Sequence, residues 1–157
     1  MTVLVTAASR HGGTAEIAAA IGRVLRERGV VADVVPVEDV DSLAEYDAVV
    51  LGSGVYVGRW LESARTFVDR HGNDLAARPV WLFSSGPIEG KGDVDVEPIV
   101  STVAPEAHRV FGGRVDRSRL ALAERAILRA VRAREGDYRD WRAIRGYAQE
   151  IAETVSA

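Results

Sequence analysis

The stretch Val3-Leu4-Val5-Thr6-Ala7-Ala8-Ser9-Arg10-His11-Gly12-Gly13-Thr14, continuing into Ala15-Glu16-Ile17-Ala18-Ala19-Ala20-Ile21, decides how this chain folds. A short β-branched apolar run reads as a buried strand, and a loop of small, hydroxyl-bearing residues separates it from an apolar pattern of helical period. The first turn of such a helix has backbone N–H groups without intrahelical partners and carries the positive end of the helix dipole, which makes it a seat for a phosphate. Ser9 and Thr14 supply hydroxyl donors there, Gly12 and Gly13 let the main chain approach an anion, and Arg10 adds charge. The bland alternatives are a glycine-rich turn that holds nothing, a solvated Arg10, and a His11 that points to water.

Spacing sets aside two better-known phosphate loops. A Walker A loop ends in Gly-Lys-Ser/Thr, whereas no lysine follows here and Lys91 is the only one in the chain. A dinucleotide fingerprint needs Gly-x-Gly-x-x-Gly, and adjacent glycines closed by Thr14 do not supply it.

With 157 residues, 47% of them hydrophobic and 27% charged, the chain reads as one globular domain over residues 1–157 with enough length to bury a core. The absence of cysteine excludes disulfides, thiolate nucleophiles and Cys-ligated metals. His11, His71 and His108 are scattered without ligand spacing, so no metal site is expected. A formal charge of -3 makes nucleic acid an unsuitable partner. No export signal or run of 18 apolar residues is evident, and a cytoplasmic location is the expectation.

Apolar runs at Val3 to Val5, Val30 to Val37, Ala48 to Leu51, Val80 to Phe83 and Arg109 to Phe111 predict five strands covered on both faces. Ile17, Ile21, Val24 and Leu25 predict a helix closed by Gly29; Trp60, Leu61, Ala64, Phe67 and Val68 predict a second, ended near His71-Gly72-Asn73. Asp137 or Asp140 caps a last helix carrying Trp141, Ile144, Ala148, Ile151 and Val155. Alternating strands and helices give a doubly wound parallel sheet, whose ligands sit outside the carboxyl ends of the strands where strand order reverses. The loops after the first, third and fourth strands, including Gly52 to Trp60 and Ser84 to Gly90, should converge there and take a flat, aromatic, phosphorylated ligand.

The Ser9 to Thr14 loop, the Gly52 to Trp60 loop and the implied strand order resemble the flavodoxin family along the whole chain. The segments Gly112-Gly113-Arg114-Val115-Asp116-Arg117 and Gly136-Asp137-Tyr138-Arg139-Asp140-Trp141 are similar to a subgroup, the flavodoxin-domain relatives of menaquinone-dependent protoporphyrinogen dehydrogenase. The resemblance implies an α/β flavodoxin-like fold, a five-stranded parallel sheet of order 2-1-3-4-5 with helices on both faces and one extra helix after the fifth strand. It also implies FMN as cofactor. Its phosphate would lie over Ser9, Arg10, His11, Gly12, Gly13 and Thr14, and its ring against Ser53, Gly54, Val55, Tyr56, Val57, Gly58, Ser84, Ser85, Gly86 and Pro87. Tyr56 is the first candidate to cover a ring face and Trp60 the second, with a core position for Trp60 the stronger alternative.

Acids at Glu89, Asp93, Asp95 and Glu97, if near the ring, would lower a flavin potential; otherwise they form a solvated loop. An extra helix over about 117–134 bears Arg117, Arg119, Arg125, Arg129, Arg132 and Arg134 on an otherwise acidic protein. Such a helix suits a peripheral membrane surface or an acidic substrate such as a porphyrin, or simply a solvated charged face. The subgroup implies an FMN-dependent oxidoreductase acting on protoporphyrinogen with a quinone acceptor. An electron carrier between redox partner proteins and a flavin-free binding or regulatory module are the alternatives.

Overall fold

Strict alternation along the first strand sorts its side chains onto two buried faces. In β1 (Thr2–Ala8), Val3, Val5 and Ala7 turn to one layer, while Leu4 and Ala8 turn to the other. The computed structural model describes residues 1–86, 94–115 and 136–157. Through these run α1 (Gly13–Glu27), β2 (Val31–Val34), β3 (Ala48–Tyr56), β4 (Arg59–Trp60), α2 (Glu62–Ala76), β5 (Val80–Gly86), α3 (Glu97–Val103), β6 (Ala107–Gly112), β7 (Arg114–Val115), β8 (Gly136–Asp137) and α4 (Trp141–Ser156).

Five parallel strands run in the order β2-β1-β3-β5-β6, the order implied by the family resemblance. On one face, Ile17, Ile21 and Leu25 of α1 and Ile144, Tyr147 and Ile151 of α4 pack on Val3, Val5, Val50 and Phe83. On the other, Ala64, Phe67 and Leu75 of α2 and Ile99 and Val103 of α3 pack on Leu4, Leu51 and Leu82. Burial on both faces is the condition under which parallel sheets are found. The buried Tyr147 hydroxyl donates to the Leu82 carbonyl at 2.8 Å, fastening α4 to the sheet, and burial pushes its pKa up.

Helix ends follow local chemistry. Gly29 (φ 81°) stops α1 with its N–H on the Arg26 carbonyl and the Val30 N–H on that of Leu25, a Schellman ending. Asp140, rather than Asp137, caps α4 by accepting from the Ala143 N–H at 3.1 Å.

Other expectations require correction. β2 stops at Val34 instead of Val37: the Val35 N–H makes a last bond to Val5, Pro36 has no N–H to give, and Val37–Asp39 turn into a 3₁₀ helix. The Gly52 to Tyr56 segment is strand rather than loop, since β3 stays in register with β1 to Ala8↔Ser53 and with β5 to Gly54↔Ser85. Trp60 belongs not to a helix but to β4, which pairs antiparallel with β3 through Val55↔Trp60 and Tyr56↔Arg59. α2 does not end near His71; it bends there (φ −111°, ψ 16°) and continues to Ala76, its last turn held by fully buried Leu75. Next to the bend, Gly72 lets α3 pack closely, since a Cβ there would stand 3.2 Å from Thr102 of that helix, which the sequence reading did not include. The extra helix over 117–134 and the residues Pro87, Glu89, Gly90, Lys91 and Asp93 lie outside the described residues.

Candidate functional site

Three parallel strand ends meet at one level. The register places Ala8 beside Ser53 and Gly54 beside Ser85, so the chain leaves β1 and β5 on either side of β3. Gly54 lies against the chain leaving β1: a Cβ on it would stand 3.2 Å from the Thr14 hydroxyl and 3.9 Å from the Ala8 carbonyl. Any side chain at position 54 would enter the space between the two loops.

The loop itself turns through Gly12, which has φ 89° and precedes the helix proper. Ser9 Oγ accepts the Gly12 N–H at 3.1 Å, which fixes the bend and leaves the serine hydrogen to donate. The Glu16 N–H reaches the Gly12 carbonyl at 3.0 Å as the first helical bond. The N–H groups of Gly13, Thr14 and Ala15 therefore precede the helical ladder and have no acceptor within it. Thr14 is 6% exposed, and its hydroxyl lies beside these donors. Arg10 places its guanidinium 4.6 Å from the centre of the Tyr56 ring, joining the loop after β1 to the β3–β4 hairpin. Val57 and Gly58 form the hairpin tip with φ 51° and 72°, the sign pattern of a type I′ turn. A β-branched residue is strained there, and Val57 is also 67% exposed.

The serines on the other two strands behave differently from those in the loop. Ser53 Oγ donates to the Gly54 carbonyl at 2.7 Å and accepts the Leu61 N–H at 3.0 Å, tying the start of α2 to β3. Ser84 Oγ accepts from Trp60 Nε1 at 2.8 Å and lies 2.7 Å from His108 Nε2. Ser85 Oγ donates to the Gly112 carbonyl at 3.4 Å. Trp60 is thus a core residue, 1% exposed, consistent with the stronger of its two readings. His108 was not singled out by sequence, and only the parallel register of β5 and β6 could have found it. Burial first, and Arg109 second, pull its pKa below the usual histidine value. Burial likewise lowers that of His71, far from the site.

Beyond β6 the chain folds back across this edge. A Cβ at Gly113 would run into the Gly86 carbonyl, and one at Gly112 into the backbone of Tyr138. The Tyr138 N–H donates to the Gly113 carbonyl at 3.0 Å, and β7 and β8 pair antiparallel. Arg139 follows, its side chain only 4% exposed; the sequence reading gave it no role. Tyr56 and Arg139 contact the loop and the first turn of α1, and Asp95 is tied to the β3–β4 hairpin, its N–H on the Gly58 carbonyl at 2.8 Å. A separate hollow of about 520 Å³ between α2 and α3, lined by His71, Gly72, Asn73 and Thr102, lies at the other end of the sheet. Among the described residues, no group of three or more His, Cys, Asp or Glu is arranged to hold a metal, and no helix is long and apolar enough to cross a membrane.

A doubly wound parallel sheet whose strand order reverses beside the turn that opens α1 defines the class of α/β proteins whose ligands sit outside the carboxyl ends of the strands. The chain belongs to the flavodoxin domain family, whose model matches residues 4–141. It is 25% identical over 173 residues to the Escherichia coli K12 protein named protoporphyrinogen IX dehydrogenase [quinone], covering 97% of this chain and 95% of the relative. A Leishmania major protein of the same name is 27% identical over 162 residues, with 90% of this chain and 70% of the relative covered. Among solved structures, a flavodoxin from the domain Archaea superposes with a TM-score of 0.67 at 18% identity over 100% of both chains. Rubredoxin oxygen:oxidoreductase from Desulfovibrio gigas superposes with a TM-score of 0.69 at 12% identity, covering 99% of this chain and 36% of that one.

Proposed function

We propose that this protein is an FMN-dependent oxidoreductase that dehydrogenates protoporphyrinogen IX with a quinone as acceptor. The observation that carries the cofactor reading is that the N–H donors of Gly13, Thr14 and Ala15 precede the helical ladder beside a Thr14 hydroxyl that only glycine at position 54 can approach so closely. The residues present fit a phosphate monoester followed by a flat ring. Backbone donors and the Ser9 and Thr14 hydroxyls would hold the phosphate, at roughly 1.5–3 kcal/mol for each bond to a charged acceptor. Arg10 would add positive charge on the same side. Tyr56, Val55 and Val57 from the hairpin would border the ring, and the strand ends at Gly54 and Gly86 would present main chain to its polar edge. Ser53, Ser84 and Ser85 would act through the backbone they brace rather than through their hydroxyls, which have internal partners.

FMN, when bound, supplies the transfer of electrons and hydride that no side chain of this site can perform. The chain's own residues hold it, shield one side of the ring and leave the hairpin tip toward solvent. The substrate reading rests on the names of relatives that align over nearly the full chain. The flavodoxin electron carrier remains the competing function.

The test is a visible spectrum of the purified protein during FMN addition and stepwise reduction, followed by steady-state assays with protoporphyrinogen and quinones. Bound, reducible FMN with quinone-dependent porphyrin formation is the expected result. Colourless protein that leaves FMN fluorescence unaltered would overturn the cofactor reading. Bound FMN with no turnover of porphyrinogen would turn the assignment to the electron carrier.

A further inference from the structure

Arg139 reaches from the segment after β8 to the first turn of α1. Its Nε and NH2 donate to the two carboxylate oxygens of Asp137 at 2.8 and 2.6 Å, a two-pronged grip. Its remaining nitrogen, NH1, lies 3.3 Å from the Gly13 carbonyl and 3.4 Å from Glu16 Oε2. The guanidinium stacks 4.6 Å over the Trp141 ring. A guanidinium so far removed from water holds its place only when each side is matched by a partner, and here each is.

Two of these contacts bear on the phosphate loop. Glu16 stands in the first turn of α1, where a carboxylate is favoured by the helix dipole and therefore competes with a phosphate for the same positive end. Arg139 offsets that charge. The Gly13 carbonyl, in turn, shares its peptide unit with the Thr14 N–H, and in a trans peptide the two point in opposite directions. Because Gly13 is the first residue of α1, the helix itself sets that direction, and the Arg139 contact fastens the segment after β8 to this turn.

We propose that Arg139 is a positioning residue for the phosphate seat, cancelling the Glu16 carboxylate beside the first turn of α1 where a phosphate monoester would sit. The inference rests on the FMN reading above and assigns the work to a residue distant in sequence from the loop. It makes the ratio of FMN to riboflavin affinity the quantity to measure, since the two ligands differ only in the phosphate.

Fluorescence titrations of the full chain with FMN and with riboflavin separate the possibilities. Arg139→Gln should weaken FMN about tenfold while changing riboflavin by less than about twofold, because losing the guanidinium makes the surroundings of the loop more negative, which acts on the phosphate alone. Adding Glu16→Gln to that variant should restore much of the loss, which removal of a merely structural tether would not permit. Should Arg139→Gln fail to fold, Glu16→Gln alone decides: about threefold tighter FMN with riboflavin unaltered supports the role. Equal weakening of both ligands by Arg139→Gln, absence of rescue in the double variant, or no change of the FMN to riboflavin ratio in Glu16→Gln overturns it. Wild-type protein that binds riboflavin as well as FMN instead overturns the phosphate seat itself and the proposal with it.

Discussion

The hydroxyls of the loop after β1 and those at the ends of β3 and β5 look alike in sequence and do opposite work. Thr14 and Ser9 stand at a helix start whose main-chain donors have no acceptor in the helix, with Ser9 bracing the turn and Thr14 bordering the gap at Gly54. Ser53 and Ser84 lie on strands, where the pleat sends them to the same buried face as Leu51 and Leu82. There they serve as acceptors for the Leu61 N–H and the Trp60 indole. A hydroxyl on a loop before a helix is free to face a ligand, whereas one inside a two-sided parallel sheet must find a partner within the protein.

The contrast is broken most forcefully at Thr14. Replacing it with valine keeps the shape and removes the hydroxyl, so FMN affinity should fall tenfold or more, given roughly 1.5–3 kcal/mol for a hydrogen bond to a charged acceptor. Riboflavin binding and the urea midpoint should scarcely move; calorimetric titration with both ligands checks this. Next in size, Ser84→Ala strands the Trp60 indole N–H in the core and should cost about 1–3 kcal/mol of stability by urea unfolding. The FMN to riboflavin affinity ratio should stay at the wild-type value in that variant, and a drop would place Ser84 in the ligand shell after all.

The smallest effect is a pH dependence. Because the folded pKa of His108 lies below its unfolded value near 6.5, the unfolded chain binds more protons between the two. Its contribution is complete above about pH 6.5 and declines as pH falls through that value, levelling off below the folded pKa. Protonation also removes Nε2 as an acceptor for the Ser84 hydroxyl. Urea midpoints measured from pH 7.5 to 5.5 should fall more steeply for wild type than for His108→Gln. Identical slopes would remove His108 from the account.

The fold was readable where local signals and tertiary packing agree. The β1 run and the Gly29 stop each act within a few residues of themselves, and the structure has them where sequence puts them, while the cap falls on Asp140, one of the two acids that the sequence left open. Pairing is what the chain conceals. The continuation of β3 to Tyr56 depends on β1 and β5 alongside it, and the placement of Trp60 in β4 depends on a turn with a valine at positive φ, where asparagine or glycine is the usual signal. α3 is too brief for its Ile99 and Val103 to declare a period, and its seat against Gly72 is invisible without α2. The same holds for the site. The glycine-rich turn that opens α1 is local and could be placed from sequence; the partners of Ser84, 24 residues from both Trp60 and His108, and of Arg139, 126 residues from Gly13, could not.

The short β7–β8 ribbon has an engineering consequence. Val115 pairs with Gly136, so both ends of the intervening sequence are anchored about 4.8 Å apart, the gap that an ordinary two-residue hairpin turn closes. The ribbon is the splice point at which an exchanged or shortened segment would be joined, with Val115 and Gly136 kept in register.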